Sequence, residues 1–248
     1  MSDTKKEVFV YPDTNSVRAN IDYLNRKFEG LKIAIIGMGG TGSYILDLLA
    51  KTPVSEINIY DGDTFQLHNA FRSPGAISAE RLETSGVLKK VYYYSDIYSR
   101  MHNAVIPHDT HVTDQNIEEF RLFDFVFISV DKNKVRYDIT SKLSSFNVPF
   151  IDCGLGVVKV GDSLLGSLRV TTSTSMKSDH LSKRIGAAEF DDDAYATNIQ
   201  IADLNSLNAT LAVIRWKKHI GFYQDLKHEH NTLYFINTGK ILNEDNTA

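Results

Sequence analysis

The hydrophobic pattern between residues 31 and 152 alternates short apolar runs with stretches of helical spacing. Residues 31–36 and 125–130 are almost wholly apolar and rich in branched or aromatic side chains, which predicts strands buried on both faces. The other strands predicted here are 56–60, 104–107 and 149–152, and the helices are 42–50, a long region broken near Gly86 that ends about residue 101, 116–120 and 134–146. This order predicts a Rossmann-like α/β fold, with a mostly parallel sheet and helices on both faces.

The pattern differs on both sides of this core. Residues 1–30 predict a polar arm with one strand at 8–11 and a short helix at 17–28. The C-terminal part predicts short antiparallel strands at 157–160 and 167–171, polar loops at 171–178 and 189–193, a helix at 202–222, a strand at 232–236 and a frayed end from residue 243. We expect one compact domain in three parts, which are an N-terminal arm and helix (1–30), a Rossmann-like core (31–156) and a C-terminal elaboration extending the sheet with antiparallel strands (157–248).

Four glycines lie between the first core strand and the helix that follows it, namely Gly37, Gly39, Gly40 and Gly42. Glycines in this position allow a tight turn and a close approach of the backbone, and the helix N-terminus offers free N–H donors to a phosphate. Asp61 ends the second strand, where its carboxylate can accept hydrogen bonds from ribose hydroxyls. A turn that only lets helix and strand pack closely is the alternative, but the spacing, the context and Asp61 together predict a nucleotide site.

The residues beyond Asp61 favour a triphosphate over a nicotinamide dinucleotide. They supply carboxylates, an amide and cations, namely Asp63, Asn69, Arg72, Lys89 and Asp131. Arginine and lysine neutralise phosphate charge, and a carboxylate at a strand end can hold Mg²⁺. An NAD-dependent oxidoreductase would leave Asn69, Arg72 and Asp131 unexplained.

With these motifs the sequence resembles the ThiF/MoeB/ubiquitin-activating-enzyme (HesA/MoeB/ThiF) superfamily of adenylyltransferases. The resemblance covers about residues 31–156 and, more weakly, the helix at 202–222. It implies an enzyme that uses ATP and Mg²⁺ to activate the C-terminal carboxylate of a ubiquitin-like or sulfur-carrier protein as an acyl-adenylate, with release of pyrophosphate. It also implies a homodimer.

The resemblance further implies a role for each matching residue. Asp61 would hold the ribose, Asn69, Arg72 and Lys89 would contact phosphates, and Asp131 would bind Mg²⁺. Arg72, Lys89 and Asp131 form the implied catalytic set. The implied nucleotide-binding set is Gly37, Gly39, Gly40, Gly42, Asp61, Asp63, Asn69, Arg72 and Lys89.

Three further arginines have less direct roles. Arg136 is expected to orient the helix after the strand at 125–130 rather than to touch substrate. In the family, an arginine from the partner subunit's N-terminal helix completes the site. Arg18 and Arg26 are candidates for it, although neither matches a motif.

The chain departs from the family pattern in its cysteines. Cys153 is the single cysteine, so paired Cys-x-x-Cys zinc ligands are excluded and no zinc is expected. Residues 171–197 contain no cysteine that could form a thioester before the last long helix. We interpret Cys153 as a small buried packing residue, the alternative being a reactive thiol near the nucleotide. An enzyme of this kind stops at the adenylate or passes it to an outside thiol or sulfur donor.

Two polar clusters remain. The acidic residues at 189–193 are interpreted as a solvated loop, with a docking strip for a basic carrier tail as the alternative. Histidines that superficially suggest metal ligands are interpreted as surface residues, namely His108, His111, His228 and His230.

Composition and charge narrow the function further. The 248 residues are 42% hydrophobic, enough for a full core, and the balance of 27 basic and 31 acidic residues gives a net charge of −4. This mild acidity argues against a dedicated nucleic-acid binder. With no secretion signal or membrane span in sight, we expect a soluble cytoplasmic protein.

Two alternatives stay open within the superfamily. One is an RNA-modifying dehydratase that adenylates a carboxylate on a modified tRNA base, against which the mild acidity argues. The other is a catalytically silent scaffold subunit, against which the intact Arg72, Lys89 and Asp131 argue.

Overall fold

The computed structural model describes residues 7–84, 86–185 and 199–247. Within these ranges eight strands form one sheet in the order β3-β2-β1-β4-β5-β6-β7-β8. Their bounds are β1 Lys32–Ile36, β2 Glu56–Tyr60, β3 Val105–His108, β4 Phe125–Ile128, β5 Phe150–Val160, β6 Ser163–Ser173, β7 Asn231–Phe235 and β8 Lys240–Glu244.

The α-helices connect these strands or pack on the sheet. They are α1 Thr14–Arg18, α2 Gly40–Leu49, α3 Leu67–Ala70, α4 Ala79–Thr84, α5 Lys90–Tyr98, α6 Asn133–Ser145, α7 Leu181–Arg184 and α8 Ala202–His219. Short 3₁₀ helices occupy Asp22–Lys27 and Ile117–Leu122. In the described part of the chain, no helix is both long and apolar enough to cross a membrane.

The first five strands of the sheet order are parallel, and the last three add antiparallel pairings. From β1 the chain moves to β2 on one side, and β4 later pairs with β1 on the other side. The strand order therefore reverses between β1 and β4. In open α/β sheets, ligands bind in the crevice outside the carboxyl ends of strands at such a switch point.

Alternating side chains of the central strands belong to two hydrophobic cores, one on each face of the sheet. Ile33 and Ile35 pack with the apolar faces of α2, α5 and α8. Ala34 and Ile36 pack with α6 and with the 3₁₀ helix after β3. The fold is thus the predicted Rossmann-like α/β sheet covered by helices on both faces, with antiparallel strands at its C-terminal side.

Several predicted elements differ in detail. The long helical region before residue 101 is three helices, α3, α4 and α5, and Gly86 after α4 has a φ of +56°. The helix predicted at 17–28 is α1 followed by a 3₁₀ turn, because Asn20 adopts a φ of +54°. The strand predicted at 8–11 is reduced to one bridge between Phe9 and His102.

The C-terminal strands are longer than predicted. The two apolar runs at 149–152 and 157–160 belong to one strand, β5, which pairs with β6 along eleven residues. β6 continues to Ser173, into the stretch predicted as a polar loop, because its threonines face β5 and β7 inside the sheet. The end predicted as frayed contains β8 up to Glu244. Since β5 crosses residue 156, the core and the C-terminal part share one sheet.

Candidate nucleotide site

The glycine loop links the end of β1 to α2. Gly37 has a φ of +89° and donates its N–H to the carbonyl of Tyr60 at 2.9 Å. Gly39 is the N-cap of α2, and within the described residues no side chain caps this helix. The free N–H groups at the start of α2 are therefore available to an anionic ligand.

The four glycines are needed for different reasons. A methyl group on Gly42 would overlap the carbonyl oxygen of Gly37, and one on Gly40 would overlap the amide of Asn205. A methyl group on Gly37 would lie 2.8 Å from the carbonyl oxygen of Ser129. These three glycines are required by packing within the chain. Gly39 differs, because a methyl group there would meet no atom within 4 Å, so a ligand has room to approach its backbone.

Asp61 connects the end of β2 to this loop. Its carboxylate is buried and accepts hydrogen bonds from the backbone N–H groups of Met38 at 2.7 Å and of Asp63 at 2.8 Å. The ammonium of Lys90 lies 3.4 Å from the same carboxylate. An ionised carboxylate has about four acceptor positions, so roughly one remains for a further donor such as a ribose hydroxyl.

Two neighbouring lysines hold the turn that follows Asp61. Lys89 donates to the carbonyl of Gly62 at 2.8 Å and pairs with Asp109 at 2.9 Å. Lys90 pairs with Asp63 at 2.8 Å and is itself buried. The sequence motif indicated Lys89 but not Lys90. The only available signal for Lys90 was a second lysine at the start of a largely apolar helix.

Asp63 lies just after the end of β2, and positive charges surround its carboxylate. Burial raises the pKa of Asp63, but the hydrogen bond and charge of Lys90 and the charges of His111 and Lys132 outweigh it, so the pKa is lower than usual. Lys132 belongs to the segment after β4. Strands β2 and β4 lie on either side of β1, so both segments follow strand ends at the switch point.

Asn69 and Arg72 flank the short helix α3. Asn69 is buried, and its side-chain oxygen accepts a hydrogen bond from the N–H of Gln66 at 2.8 Å in a capping box. Arg72 follows the helix, and its buried Nε has no hydrogen-bond partner among the described residues. Partial burial, followed by the charges of Arg72 and Lys90, lowers the pKa of His68. Asn69 thus caps the helix in addition to its predicted contact with phosphate, whereas Arg72 retains a donor for a ligand.

Asp131 lies in the segment after β4. Its side chain is exposed, and the described residues offer it no hydrogen bond or ion pair. The backbone before it is fixed by Arg136, whose guanidinium donates to the carbonyl oxygen of Val130. Among the residues that the structure describes, the carboxylate thus has no partner, and it follows a strand end at the switch point.

Arg136 belongs to a buried ionic cluster beneath this segment. Its Nε lies 2.9 Å from Oδ1 of Asp152, a fully buried residue at the end of the parallel part of β5. Arg169 of β6 pairs with the other oxygen of Asp152. These contacts agree with the expectation that Arg136 orients α6.

Two asparagines of α8 contact the backbone and side chains next to the site, and the sequence did not indicate either of them. Asn205 accepts a hydrogen bond from the Thr41 hydroxyl at 3.0 Å, and Asn208 donates to the carbonyl of Gly154 at 3.0 Å. Both side chains are fully buried. Two polar residues three positions apart on the inward face of an amphipathic helix were the available signal.

The structure tests whether ATP and Mg²⁺ fit these residues. No group of three or more histidine, cysteine or carboxylate side chains able to hold a metal occurs in the described ranges. Mg²⁺ is commonly bound by one or two carboxylates together with substrate phosphates. Within the described ranges, the Asp131 carboxylate and the Nε of Arg72 have no hydrogen-bond partner, and Gly39 has open space beside it. These features suit a Mg²⁺-bound triphosphate.

Cys153 is buried, as expected for a packing residue. Burial, followed by the negative charge of Asp152, raises the pKa of its thiol far above the usual range. The thiol is therefore protonated near neutral pH and is a poor nucleophile.

Other candidate residues lie elsewhere. Arg18 and Arg26 are exposed in the N-terminal segment, where Arg26 donates to the carbonyl of Tyr23. The acidic residues at 189–193 fall outside the described residues. The interpretation of His230 as a surface histidine is wrong, because it is buried and its Nε2 lies 3.0 Å from the Thr174 hydroxyl. His108 is only partly exposed and stacks on Tyr60.

Comparison with known proteins places the chain in a family. It is 27% identical to the SUMO-activating enzyme subunit uba-2 of Caenorhabditis elegans over 138 residues, which are 53% of this chain and 22% of that protein. It is 28% identical to SUMO-activating enzyme subunit 2 of Dictyostelium discoideum over 145 residues, which are 54% of this chain and 21% of that protein. The chain thus spans about a fifth of the length of these curated relatives.

Solved structures share the fold. PaaA superposes with a TM-score of 0.69 at 17% identity, over 95% of this chain and 84% of that chain. Escherichia coli MccB with ATP superposes with a TM-score of 0.70 at 16% identity, over 95% of this chain and 72% of that chain. The model of the ThiF family matches residues 17–173, which include β1 to β6, the glycine loop and the residues from Asp61 to Asp131. The chain belongs to the ThiF family.

Proposed function

We propose that this protein is an ATP-dependent adenylyltransferase that activates the C-terminal carboxylate of a ubiquitin-like or sulfur-carrier protein as an acyl-adenylate. The observation that carries the proposal is the hydrogen bond between Asp61 and the glycine loop at the switch point of a ThiF-family sheet. Arg72 and Asp131 are proposed to complete this site. The identity of the relatives supports this proposal, since two of them are subunits of SUMO-activating enzymes. One solved structure of MccB is described as MccB with ATP, and another as MccB with a form of MccA.

The proposed reaction needs no general base. An ionised carboxylate oxygen attacks the α-phosphorus of ATP and forms a new P–O bond. The bond between the α-phosphorus and the oxygen bridging to the β-phosphate breaks, and pyrophosphate leaves with the electron pair. A carboxylate is already a nucleophile at neutral pH, so the chain has to bring two anions together and stabilise the charge on the phosphate oxygens.

The residues divide this work. Asp61 would accept a hydrogen bond from the ribose, and the N–H groups at the start of α2 would face phosphate oxygens. Arg72 would donate to the phosphates with the Nε that has no described partner. Asp131 would hold Mg²⁺, which neutralises phosphate charge when bound.

Lys89 would have to change partners in order to contact phosphate. Its ammonium now pairs with Asp109, and both side chains are more than a quarter exposed. A partly exposed ion pair of this kind is worth about 0–1 kcal/mol. The exchange of a carboxylate for a triphosphate therefore costs little, and Lys89 can serve the site as proposed.

The adenylate is the last product that these 248 residues are proposed to make. Cys153 is buried and protonated, so it does not suit a thioester step. An outside thiol or sulfur donor would take the acyl group. We also propose a cytoplasmic homodimer, in which Arg18 or Arg26 of one protomer could reach the site of its partner.

An exchange assay tests the activity. The purified chain is incubated with Mg·ATP, labelled pyrophosphate and an acceptor protein ending in Gly-Gly, with the same acceptor lacking this tail as the control. We expect label to enter ATP only with the intact acceptor, because adenylation is reversible while pyrophosphate is present.

Two results would overturn the proposal. Exchange that depends on transfer RNA and not on a protein tail would indicate the RNA-modifying dehydratase. A chain that binds no ATP would indicate the catalytically silent scaffold.

A further inference from the structure

The turn Asp61–Gly62–Asp63 is held from one side by a lysine that the motif does not include. Lys90 begins α5, and its side chain is 9% exposed. It is the only buried lysine among the residues that the structure describes. An ammonium is rarely buried unless it is paired, so its position demands an account.

The partners of Lys90 are the two carboxylates of the turn. Its Nζ lies 2.8 Å from Oδ2 of Asp63 and 3.4 Å from Oδ2 of Asp61. Its backbone N–H also donates to the carbonyl of Asp63 at 3.2 Å. Asp63 itself is 58% exposed, and Lys90 makes the shorter of its two side-chain contacts, since Nε2 of His111 lies 3.6 Å from the other oxygen.

Asp61 is held by three donors. It is 7% exposed, and a buried polar side chain requires hydrogen-bond partners around it. The backbone N–H groups of Met38 and Asp63 are two of these partners, and the ammonium of Lys90 is the third. These contacts restrain the rotation of the carboxylate, and roughly one acceptor position remains for a ligand.

We infer that Lys90 is a positioning residue that holds the Asp61 carboxylate in the orientation that recognises the ribose hydroxyls of the nucleotide. Lys89, on the other side of the turn, binds the carbonyl of Gly62 and serves the phosphates. Adjacent lysines thus divide recognition of the ribose and of the phosphates. This inference rests on the proposed ATP site.

A pair of nucleotides separates positioning from general stability. ATP and 2′,3′-dideoxy-ATP share the base and phosphates, and differ only in the ribose hydroxyls. We expect the native chain, with Mg²⁺ present, to bind ATP at least about tenfold more tightly than the dideoxy analogue, as for a hydrogen bond to a charged group. In Lys90→Met this ratio falls to about 1–3, whereas Lys90→Arg restores most of it.

Two lysine variants serve as controls. Lys89→Met should weaken both nucleotides together and keep their ratio. Lys51→Met should change neither affinity, because Lys51 pairs with Asp47 at the far end of α2, about 15 Å along the helix from the glycine loop. If Lys90→Met does not fold, Lys90→Gln removes the charge at similar length and gives the same comparison.

The outcomes are distinct. A native ratio retained in Lys90→Met or Lys90→Gln overturns the role of Lys90 while the ATP site stands. A native chain that binds neither nucleotide overturns the proposed function itself. A uniform loss of both affinities in Lys90→Met, with the ratio kept, assigns Lys90 to general stability and also rejects the inference.

Discussion

The carboxylate of Asp61 accepts a hydrogen bond from the backbone N–H of Met38 at 2.7 Å. This bond joins the end of β2 to the middle of the glycine loop, two residues after β1 ends. The loop and the carboxylate are therefore parts of one rigid unit rather than two independent motifs. A nucleotide that contacts one of them is held at a fixed distance from the other.

Gly39 and Gly42 are expected to respond differently to alanine. In Gly42→Ala the new methyl group overlaps the carbonyl oxygen of Gly37, which should lower the free energy of unfolding by about 3 kcal/mol or more. In Gly39→Ala the methyl group enters open space at a φ of −78°, so the protein should fold normally and lose ATP affinity. Denaturant unfolding and calorimetry measure the two effects. Normal ATP binding by Gly39→Ala would contradict the ligand role of this loop.

Arg72→Met should slow adenylation by about 10²–10³-fold, because the donor that it removes faces charge developing on the phosphates. The rate is measured as pyrophosphate exchange at saturating ATP. Arg100→Met is the matched control, because Arg100 is 70% exposed and its partner among the described residues is Asp96 on the surface of α5. A rate for Arg72→Met within a few-fold of native would remove Arg72 from the site.

Asp152→Asn should destabilise the fold by about 3–5 kcal/mol, because it leaves the guanidiniums of Arg136 and Arg169 without their buried counter-charge. Denaturant unfolding measures the loss. Asp138→Asn on α6 is the control, since it breaks only an exposed pair with Lys134 and should change stability by about 0.5 kcal/mol or less. Equal effects of the two substitutions would show that the buried cluster is not required.

Stability should fall as the pH drops below about 6.5. Burial lowers the pKa of His102, His180 and His230, so the unfolded chain binds protons first as the pH falls, and the native state loses free energy relative to it. The geometry of His102 agrees, because Nδ1 accepts the N–H of Ala104 at 3.2 Å and cannot do so once protonated.

Denaturant unfolding at pH 7.5, 6.5 and 5.5 measures this dependence. His102→Gln should flatten it, because this substitution removes one of the buried imidazoles. An unfolding free energy that is constant or rises toward pH 5.5 would contradict the assignment of neutral buried histidines.

The parallel core could be predicted from sequence because burial on both faces leaves long apolar runs such as residues 31–36 and 125–130. The antiparallel end was predicted less well. β6 contains consecutive threonines and serine at 171–173 that look like a loop, yet they lie inside the sheet between β5 and β7. β8 is an edge strand with polar residues, so its pairing with β7 leaves little trace in hydrophobicity.

The candidate site divides in the same way. The spacing after the glycine loop indicated Asp61 at a strand end, and phosphate chemistry together with the family resemblance indicated Arg72. Lys90, Asn205 and Asn208 act through tertiary contacts with segments far along the chain, and no local pattern indicates such contacts. The capping duty of Asn69 was also hidden, since a phosphate ligand and a helix cap favour the same residue type.

A calorimetric titration of the chain with ATP, with and without Mg²⁺, and with NAD tests the central claim most directly. We expect saturable binding of Mg·ATP, no binding of NAD, and at least about tenfold weaker Mg·ATP binding by Asp131→Ala. With Mg²⁺ removed by EDTA, Asp131→Ala and the native chain should bind ATP equally, because the carboxylate then has no cation to hold. Binding of NAD without ATP, or of Mg·ATP with full affinity by Asp131→Ala, would contradict the assignment of this site to an adenylyltransferase.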